Sequence, residues 1–240
     1  MKIAILNDTH CGIRNASQIF LDNAKDFYEN IFFPECEKRG IKQILHLGDY
    51  YDHRKYINFK VLNHNRNHFL NKVREKGMRM DIIPGNHDTY FKNTNELNSL
   101  KECLGHYMNE VHIVMEPTVM EYGSLKMALL PWINQENYEK SMEFVNNCKA
   151  DWLGGHLELS GFELMRGITH QHGMDAASFA RFEKVLTGHF HCSSQRDNIW
   201  YLGAQMEFFW SDAHDPKYFH ILDTETREVE KIRNTYTLFE

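Results

Sequence analysis

The sequence predicts an α/β fold in which two sheets pack face to face with helices outside. Two observations predict it. Through the first half, short apolar runs of strand length alternate with segments of helical spacing, while strand-length runs dominate the second half. In addition, five runs each deliver an Asp, Asn or His just past their ends. Lys2–Leu6 leads to Asn7-Asp8-Thr9-His10, Ile44–Leu47 to Gly48-Asp49, and Met80–Ile83 to Pro84-Gly85-Asn86-His87-Asp88. Asp151–Leu153 leads to Gly154-Gly155-His156, and Lys184–Leu186 to Thr187-Gly188-His189-Phe190-His191. Ligands of open α/β sheets sit beyond the C-terminal ends of the strands, so these side chains are candidates to share one crevice.

After the first run, Gly12 ends a loop, and Asn15 with Gln18 fits a capping box. The helix that follows carries Ile19, Phe20, Ala24, Phe27 and Ile31 at helical spacing, with Gly40 as its stop. Pro34 lies inside that pattern and should kink or split it. A second helix is expected over residues 58–76, with Val61, Leu62, Phe69 and Val73 inward; its His64 and His68 read as surface or core histidines. A short helix over 95–104 stops at Gly105. Strands follow over 111–115, 119–122 and 125–130, with Gly123-Ser124 as a tight hairpin turn. A helix from Asn134 carries Tyr138, Met142 and Val145, and a polar loop holds His170 and His172 ahead of helical residues 175–182. Strands over 199–202, 218–222 and 228–233 complete the chain, the last two joined by a turn at Asp223–Thr226. No repeat or linker interrupts it, so a single domain over 1–240 is expected.

At 28.5 kDa, 42% hydrophobic and 25% charged, the chain has room for a sizeable core. No apolar run approaches the roughly 20 residues that span a bilayer. The N-terminus enters a strand directly, which predicts a cytoplasmic protein without a signal peptide. The five cysteines show no Cys-x-x-Cys spacing and read as reduced thiols, with Cys11 and Cys192 as small packing residues. A net charge of -6 argues against holding nucleic acid by bulk positive charge. Local patches can still do so. From His53 to Arg74 there is no Asp or Glu, but there are Arg54, Lys55, Lys60, Arg66, Lys72 and Arg74. That stretch is either a solvated helix face or a surface for phosphates.

The strand-end side chains supply oxygen and imidazole and no thiolate, the donor set of a hydrolytic Mn, Fe or Zn site. Their order, Asp8-x-His10, Gly48-Asp49-x-x-Asp52, Gly85-Asn86-His87-Asp88, Gly155-His156, Gly188-His189-x-His191, resembles the calcineurin-like metallophosphoesterases. Within them the chain looks most like SbcD-type DNA-repair nucleases, especially bacteriophage members, through Asp52-His53-Arg54-Lys55-Tyr56-Ile57 and Gly155-His156-Leu157-Glu158-Leu159-Ser160-Gly161-Phe162. Ser/Thr protein phosphatases resemble it less: they place Arg-Gly where His53-Arg54 stands and Glu where Asp88 stands.

The resemblance implies a four-layer αββα sandwich of two mixed sheets flanked by helices. It implies two divalent metal ions, Mn favoured, with Fe or Zn as alternatives. Asp49 would bridge them. One metal would take Asp8, His10 and His191, the other Asn86, His156 and His189. His87 would be a catalytic non-ligand that stabilises the transition state or protonates the leaving oxygen. Asp52 and Asp88 would orient imidazoles. His53 stands where nuclease members place a substrate-positioning side chain, and Arg54, Lys55 and Lys60 would contact substrate.

The function implied is a metal-dependent DNA nuclease, exo- or endonucleolytic, in end processing, recombination or repair. The alternatives are a phosphatase or small phosphodiesterase of the same superfamily, and a non-catalytic DNA-end-binding subunit. Expected partners are DNA, an SbcC-type coiled-coil ATPase and a second copy of the chain, with no membrane. Two features depart from the pattern. Tyr201-Leu202-Gly203 continues as Ala204-Gln205 rather than Ser or Thr then Pro, and Phe208-Phe209-Trp210 reads as packing in preference to a base-stacking platform. Only seven residues follow Arg233, so the capping and partner-docking segments of SbcD-type nucleases are expected to be absent.

Overall fold

The computed structural model describes residues 1–165 and 167–239. In chain order its strands are β1 (Lys2–Leu6), β2 (Gln43–His46), β3 (Arg79–Ile82), β4 (Val111–Ile113), β5 (Thr118–Tyr122), β6 (Leu125–Leu130) and β7 (Trp152–His156). They continue as β8 (Glu163–Met165), β9 (Ile168–Thr169), β10 (Lys184–Gly188), β11 (Ser194–Arg196), β12 (Ile199–Tyr201), β13 (Tyr218–Asp223) and β14 (Glu228–Arg233). One six-stranded sheet has the order β14-β13-β1-β2-β3-β4, the other β11-β12-β10-β7-β6-β5. In the first, β1 to β4 are parallel and β13 and β14 antiparallel; in the second, β6, β7, β10 and β12 are parallel with β5 and β11 as antiparallel edges.

Strand side chains alternate between faces, and this divides the apolar residues into three layers. Ala4, Leu6 and Ile44 face outward onto helical residues Phe27, Phe32, Phe69 and Val73. Ile3, Ile5 and Leu45 face the second sheet, where they join Met127, Leu129 and Leu186. On that sheet's far side, Ala128, Leu130, Leu153 and Val185 pack with Val145 and Phe179. The result is the expected four-layer αββα sandwich. Among the described residues no helix is long and apolar enough to cross a membrane.

The helices differ from expectation in instructive ways. The first runs Gln18–Phe27, passes through a π turn at Tyr28–Phe32 and continues as Phe33–Lys38, so Pro34 does not split it. In a regular helix the proline ring meets the carbonyl four residues back. The wider π turn just upstream, with the Phe33 N–H donating to the Tyr28 carbonyl, accommodates it. No capping box forms: Arg14, Asn15 and Ala16 are left-handed (φ 55°, 56° and 58°), and the Gln18 amide donates to Asp22. The second helix has the same construction, Phe59–Asn65, π turn Arg66–Leu70 and Asn71–Glu75, with Asn58 capping the Lys60 N–H.

Three helices are shorter than their patterns. The third is Ser99–Leu104, capped by the Asn98 side chain. The fourth starts at Tyr138, because Asn134 Oδ1 takes the N–H groups of Glu136 and Asn137 in a turn instead. Residues 175–182 contain only a 3-10 turn, Ala176–Phe179. Two elements had no legible pattern: the small β8–β9 hairpin inside the polar loop and the three-residue polar edge β11.

Candidate metal centre

The loops after β1, β2 and β3 of one sheet and the ends of β7 and β10 of the other meet in one place. His10 Nε2 lies 3.0 Å from His191 Nε2, and Asp8 Oδ1 is 3.9 Å from the first and 3.8 Å from the second. Asn86 Oδ1 lies 2.9 Å from His189 Nδ1 and 3.1 Å from His156 Nε2. Asp49 stands between these two groups: its Oδ2 is 3.3 Å from His156 Nε2 and 3.7 Å from His10 Nε2. Its Oδ1 instead accepts the His87 N–H at 2.7 Å, so a single oxygen faces both sides.

The local backbone is shaped for this convergence. Asp8, His10, Asp49 and His189 all have positive φ (47°, 41°, 55° and 88°), a conformation that costs energy in non-glycine residues and is common at functional sites. Hydrogen bonds hold it there: Asp8 N–H donates to the Gly48 carbonyl, His10 N–H to Asp49, and His189 N–H to the Asp8 carboxylate. Gly85 is required by close approach. A Cβ there would sit 2.2 Å from Asp49 Oδ1.

The electrostatics of the cluster favour a cation. Burial disfavours the His156 imidazolium, but the adjoining Asp49 carboxylate overrides it and raises the pKa to about 9. His10 is likewise raised despite burial, by Asp52, Asp49 and Asp8. Asp49 is held well below its ordinary value, against its own burial, chiefly by His156. Burial and neighbouring imidazoles push His189 down to about 3 and hold His191 well below its usual range, leaving their nitrogen lone pairs available. The buried carboxylates therefore demand positive charge, while several lone pairs and the Asn86 carbonyl point at common positions. A proton meets that demand at one nitrogen at a time, whereas a divalent cation meets it for three or four donors together. Among the described residues, three donor groups have atoms within 4.8 Å of one another: Asp8/His10/His191, Asp49/His156/His189 and His10/Asp49/His87. The donors fit divalent metal ions.

The remaining sequence candidates fall around this cluster. His87 has its Nδ1 2.7 Å from the Asp52 carbonyl and its ring edge-on to His10. Asp52 Oδ1 is 3.3 Å from His10 Nδ1. Asp88 makes no hydrogen bond to an imidazole among the described residues; its carboxylate accepts the N–H groups of Tyr50, Tyr51 and Gly85 and so ties two of the loops together, with burial raising its pKa to about 6. His156 is oriented by the Leu47 carbonyl, 2.7 Å from its Nδ1. His53 lies outside the donor groups, stacked on Tyr56. Arg54 is engaged with Thr89 and the Phe91 carbonyl, and Lys60 with the Ala16 carbonyl. Lys55 has no hydrogen-bond partner among the described residues and lies 5.9 Å from the Tyr90 ring centre.

Sequence reasoning missed several supporting residues. Asn7 Nδ2 donates to Asp8 and to the Gly203 carbonyl, and buried Gln205 reaches the Asp8 carbonyl at 3.4 Å. The departure at Ala204-Gln205 thus puts an amide beneath Asp8. Phe208 is buried edge-on to His10 and His191, whereas Phe209 and Trp210 are 42% and 71% exposed. Trp132 lies with its ring 5.4 Å from His189 and 5.9 Å from His156. The signal for it was available, since it too stands just past a strand, but it is neither Asp, Asn nor His.

Known proteins share this fold. The family described as calcineurin-like phosphoesterase matches residues 1–193, and the chain belongs to that family. Its members' name as metallophosphoesterases implies divalent metal ions at the site. The chain is similar to exonuclease subunit 1 of Enterobacteria phage T4, at 31% identity over 99% of this chain and 69% of that protein. Two solved structures share the fold: the Thermus thermophilus protein TT1561 and purple acid phosphatase PPD1 from yellow lupin. TT1561 aligns with a TM-score of 0.53, 10% identity, 97% of this chain and 98% of its own. The phosphatase aligns with a TM-score of 0.53, 11% identity, 96% of this chain and 52% of its own.

Proposed function

We infer that this chain is a metal-dependent nuclease that hydrolyses DNA phosphodiesters at a two-metal centre. The observation that supports this best is the placement of Asp49 Oδ2 between two donor groups, joined to the similarity to a phage exonuclease subunit. Asp8, His10 and His191 would hold one ion and Asn86, His156 and His189 the other, with Asp49 shared. Bound there, the ions would neutralise the phosphate oxygens and lower the pKa of water, supplying hydroxide near neutral pH.

The chain's own residues do the rest. The Leu47 carbonyl and Asp52 aim His156 and His10. Asn86 contributes a neutral oxygen, which keeps the site from becoming too negative for phosphate. His87, fixed through its Nδ1 by the Asp52 carbonyl, presents its other ring nitrogen as a proton donor to the departing oxygen. His53 and Lys55 are proposed to meet the substrate at the rim. Mn is the proposed native metal, and a coiled-coil ATPase of SbcC type the proposed partner in DNA end processing or repair.

The test is digestion of single- and double-stranded DNA with Mn, alongside p-nitrophenyl phosphate mono- and diesters. DNA cleavage with negligible monoester activity is expected. Monoester hydrolysis without DNA cleavage would favour the phosphatase reading, and DNA binding with neither activity a non-catalytic subunit.

A further inference from the structure

We propose that the cavity beside His156 is a nucleoside subsite, in which the Trp132 indole stacks on the base of the terminal nucleotide whose phosphodiester is cleaved at the metal centre. This rests on the nuclease reading and deepens it. The cavity measures about 670 Å³, within the range of pockets that hold small ligands. It opens directly off the centre, since His156 forms part of its wall and Trp132 lies against both His156 and His189.

The platform is built rather than incidental. The Trp132 N–H donates to the Pro84 carbonyl at 2.9 Å, and its own carbonyl accepts from Asn95 Nδ2 at 2.8 Å and Asn137 Nδ2 at 3.0 Å. The indole Nε1 has no hydrogen-bond partner among the described residues, and the ring is only partly covered. Ile133, Tyr138 and Met174 extend the apolar wall, and Tyr138 is itself exposed.

Charge decides which part of a substrate fits. Among the described residues, Glu136, Glu139 and Glu158 line the cavity, and neither Lys nor Arg does. Phosphate is welcome at the metal ions but repelled by these walls, so the portion that enters must be uncharged: a sugar and its base. An internal nucleotide would carry a second phosphate in with it, whereas a terminal one need not. A base held against Trp132 is also unpaired, so the end must be single-stranded or frayed.

The experiment compares Trp132→Ala and Trp132→Phe with the wild type on two single-stranded oligonucleotides, one with an ordinary terminal nucleotide and one whose terminal nucleotide is abasic. Loss of stacking should slow the Ala variant by about 5- to 100-fold on the ordinary end. The abasic end should be slow already and unaffected by the substitution, and Phe should restore most of the rate. Equal slowing of both substrates, or of neither, would overturn the proposal. Changing Glu136, Glu139 and Glu158 together to Gln should raise internal relative to terminal cleavage; an unchanged ratio would remove the terminal assignment.

A binding readout separates this inference from the nuclease reading. Thymidine 5′-monophosphate should quench tryptophan fluorescence in the wild type and not in Trp132→Phe, while deoxyribose 5-phosphate should quench neither. If DNA is not cleaved but the nucleotide-specific quench persists, the nuclease reading fails and the subsite stands. Cleavage without that quench would reject the subsite alone.

Discussion

Asp49 has one oxygen committed to the His87 N–H and the other lying between two donor groups. Asp49→Asn should therefore lower metal content more than any other single ligand change, because one residue serves both ions. Retention of two metals at wild-type affinity, measured on purified protein, would show that the residue does not bridge. His87 belongs to one donor group, but its Nδ1 is taken up by the Asp52 carbonyl. His87→Ala should keep the metals and slow cleavage by about 10²- to 10⁴-fold, the usual span for acid–base assistance. A lost metal would instead make it a ligand. Gly85→Ala tests the backbone contact: a methyl 2.2 Å from Asp49 Oδ1 must displace the carboxylate. Reduced metal content with an unchanged far-ultraviolet circular dichroism spectrum is expected.

At the scale of elements, the segment between β2 and β3 does two jobs with similar residues. Arg54 bonds to Thr89 and to the Phe91 carbonyl, bracing the loop that follows His87-Asp88. Lys60 ties its helix to the left-handed turn at Ala16. Lys55 makes no such bond among the described residues. Arg54→Ala should thus cost stability, about 1–3 kcal/mol for several lost and partly buried hydrogen bonds, read as a lowered Tm. Lys55→Ala should leave Tm unchanged and flatten the salt dependence of DNA binding. The log–log slope should fall by about 0.9 on duplex or 0.7 on single strands. An unchanged slope would return Lys55 to the solvated surface.

At the scale of the whole molecule, the two sheets enclose a histidine that the site does not use. His220 of β13 lies between the sheets, edge-on to Trp200 and paired in register with Lys231, and neither ring nitrogen has a hydrogen-bond partner among the described residues. Burial, with help from Lys231, pushes its pKa down to about 3 from an ordinary 6.5. Between those values the unfolded chain binds a proton that the folded chain refuses, so this residue makes stability fall as pH drops from about 6.5 towards 3. The slope it contributes approaches about 1.4 kcal/mol per pH unit. His220→Phe should flatten the pH dependence of unfolding free energy over pH 4–6 relative to wild type. Parallel curves in urea titrations would mean that His220 is protonated in both states.

The motif residues and most strands were legible in the sequence for a physical reason. Parallel strands buried on both faces must be short apolar runs, and ligands must stand where those runs stop, so β1, β2, β3, β7 and β10 announced both fold and site. Local patterns also placed the Gly123-Ser124 hairpin and the start of the second helix near residue 58, because turns and helix starts depend on neighbours within a few residues. Only the tertiary structure decided which neutral groups serve the centre. Gln205 and the Leu47 carbonyl reach it across long sequence separations, and their residue types carry no local signal of that role. The same holds for Arg54 and Lys55, adjacent and alike in charge. Their duties diverge because one guanidinium finds backbone carbonyls from the next loop and one ammonium does not, a difference set by packing and invisible in composition.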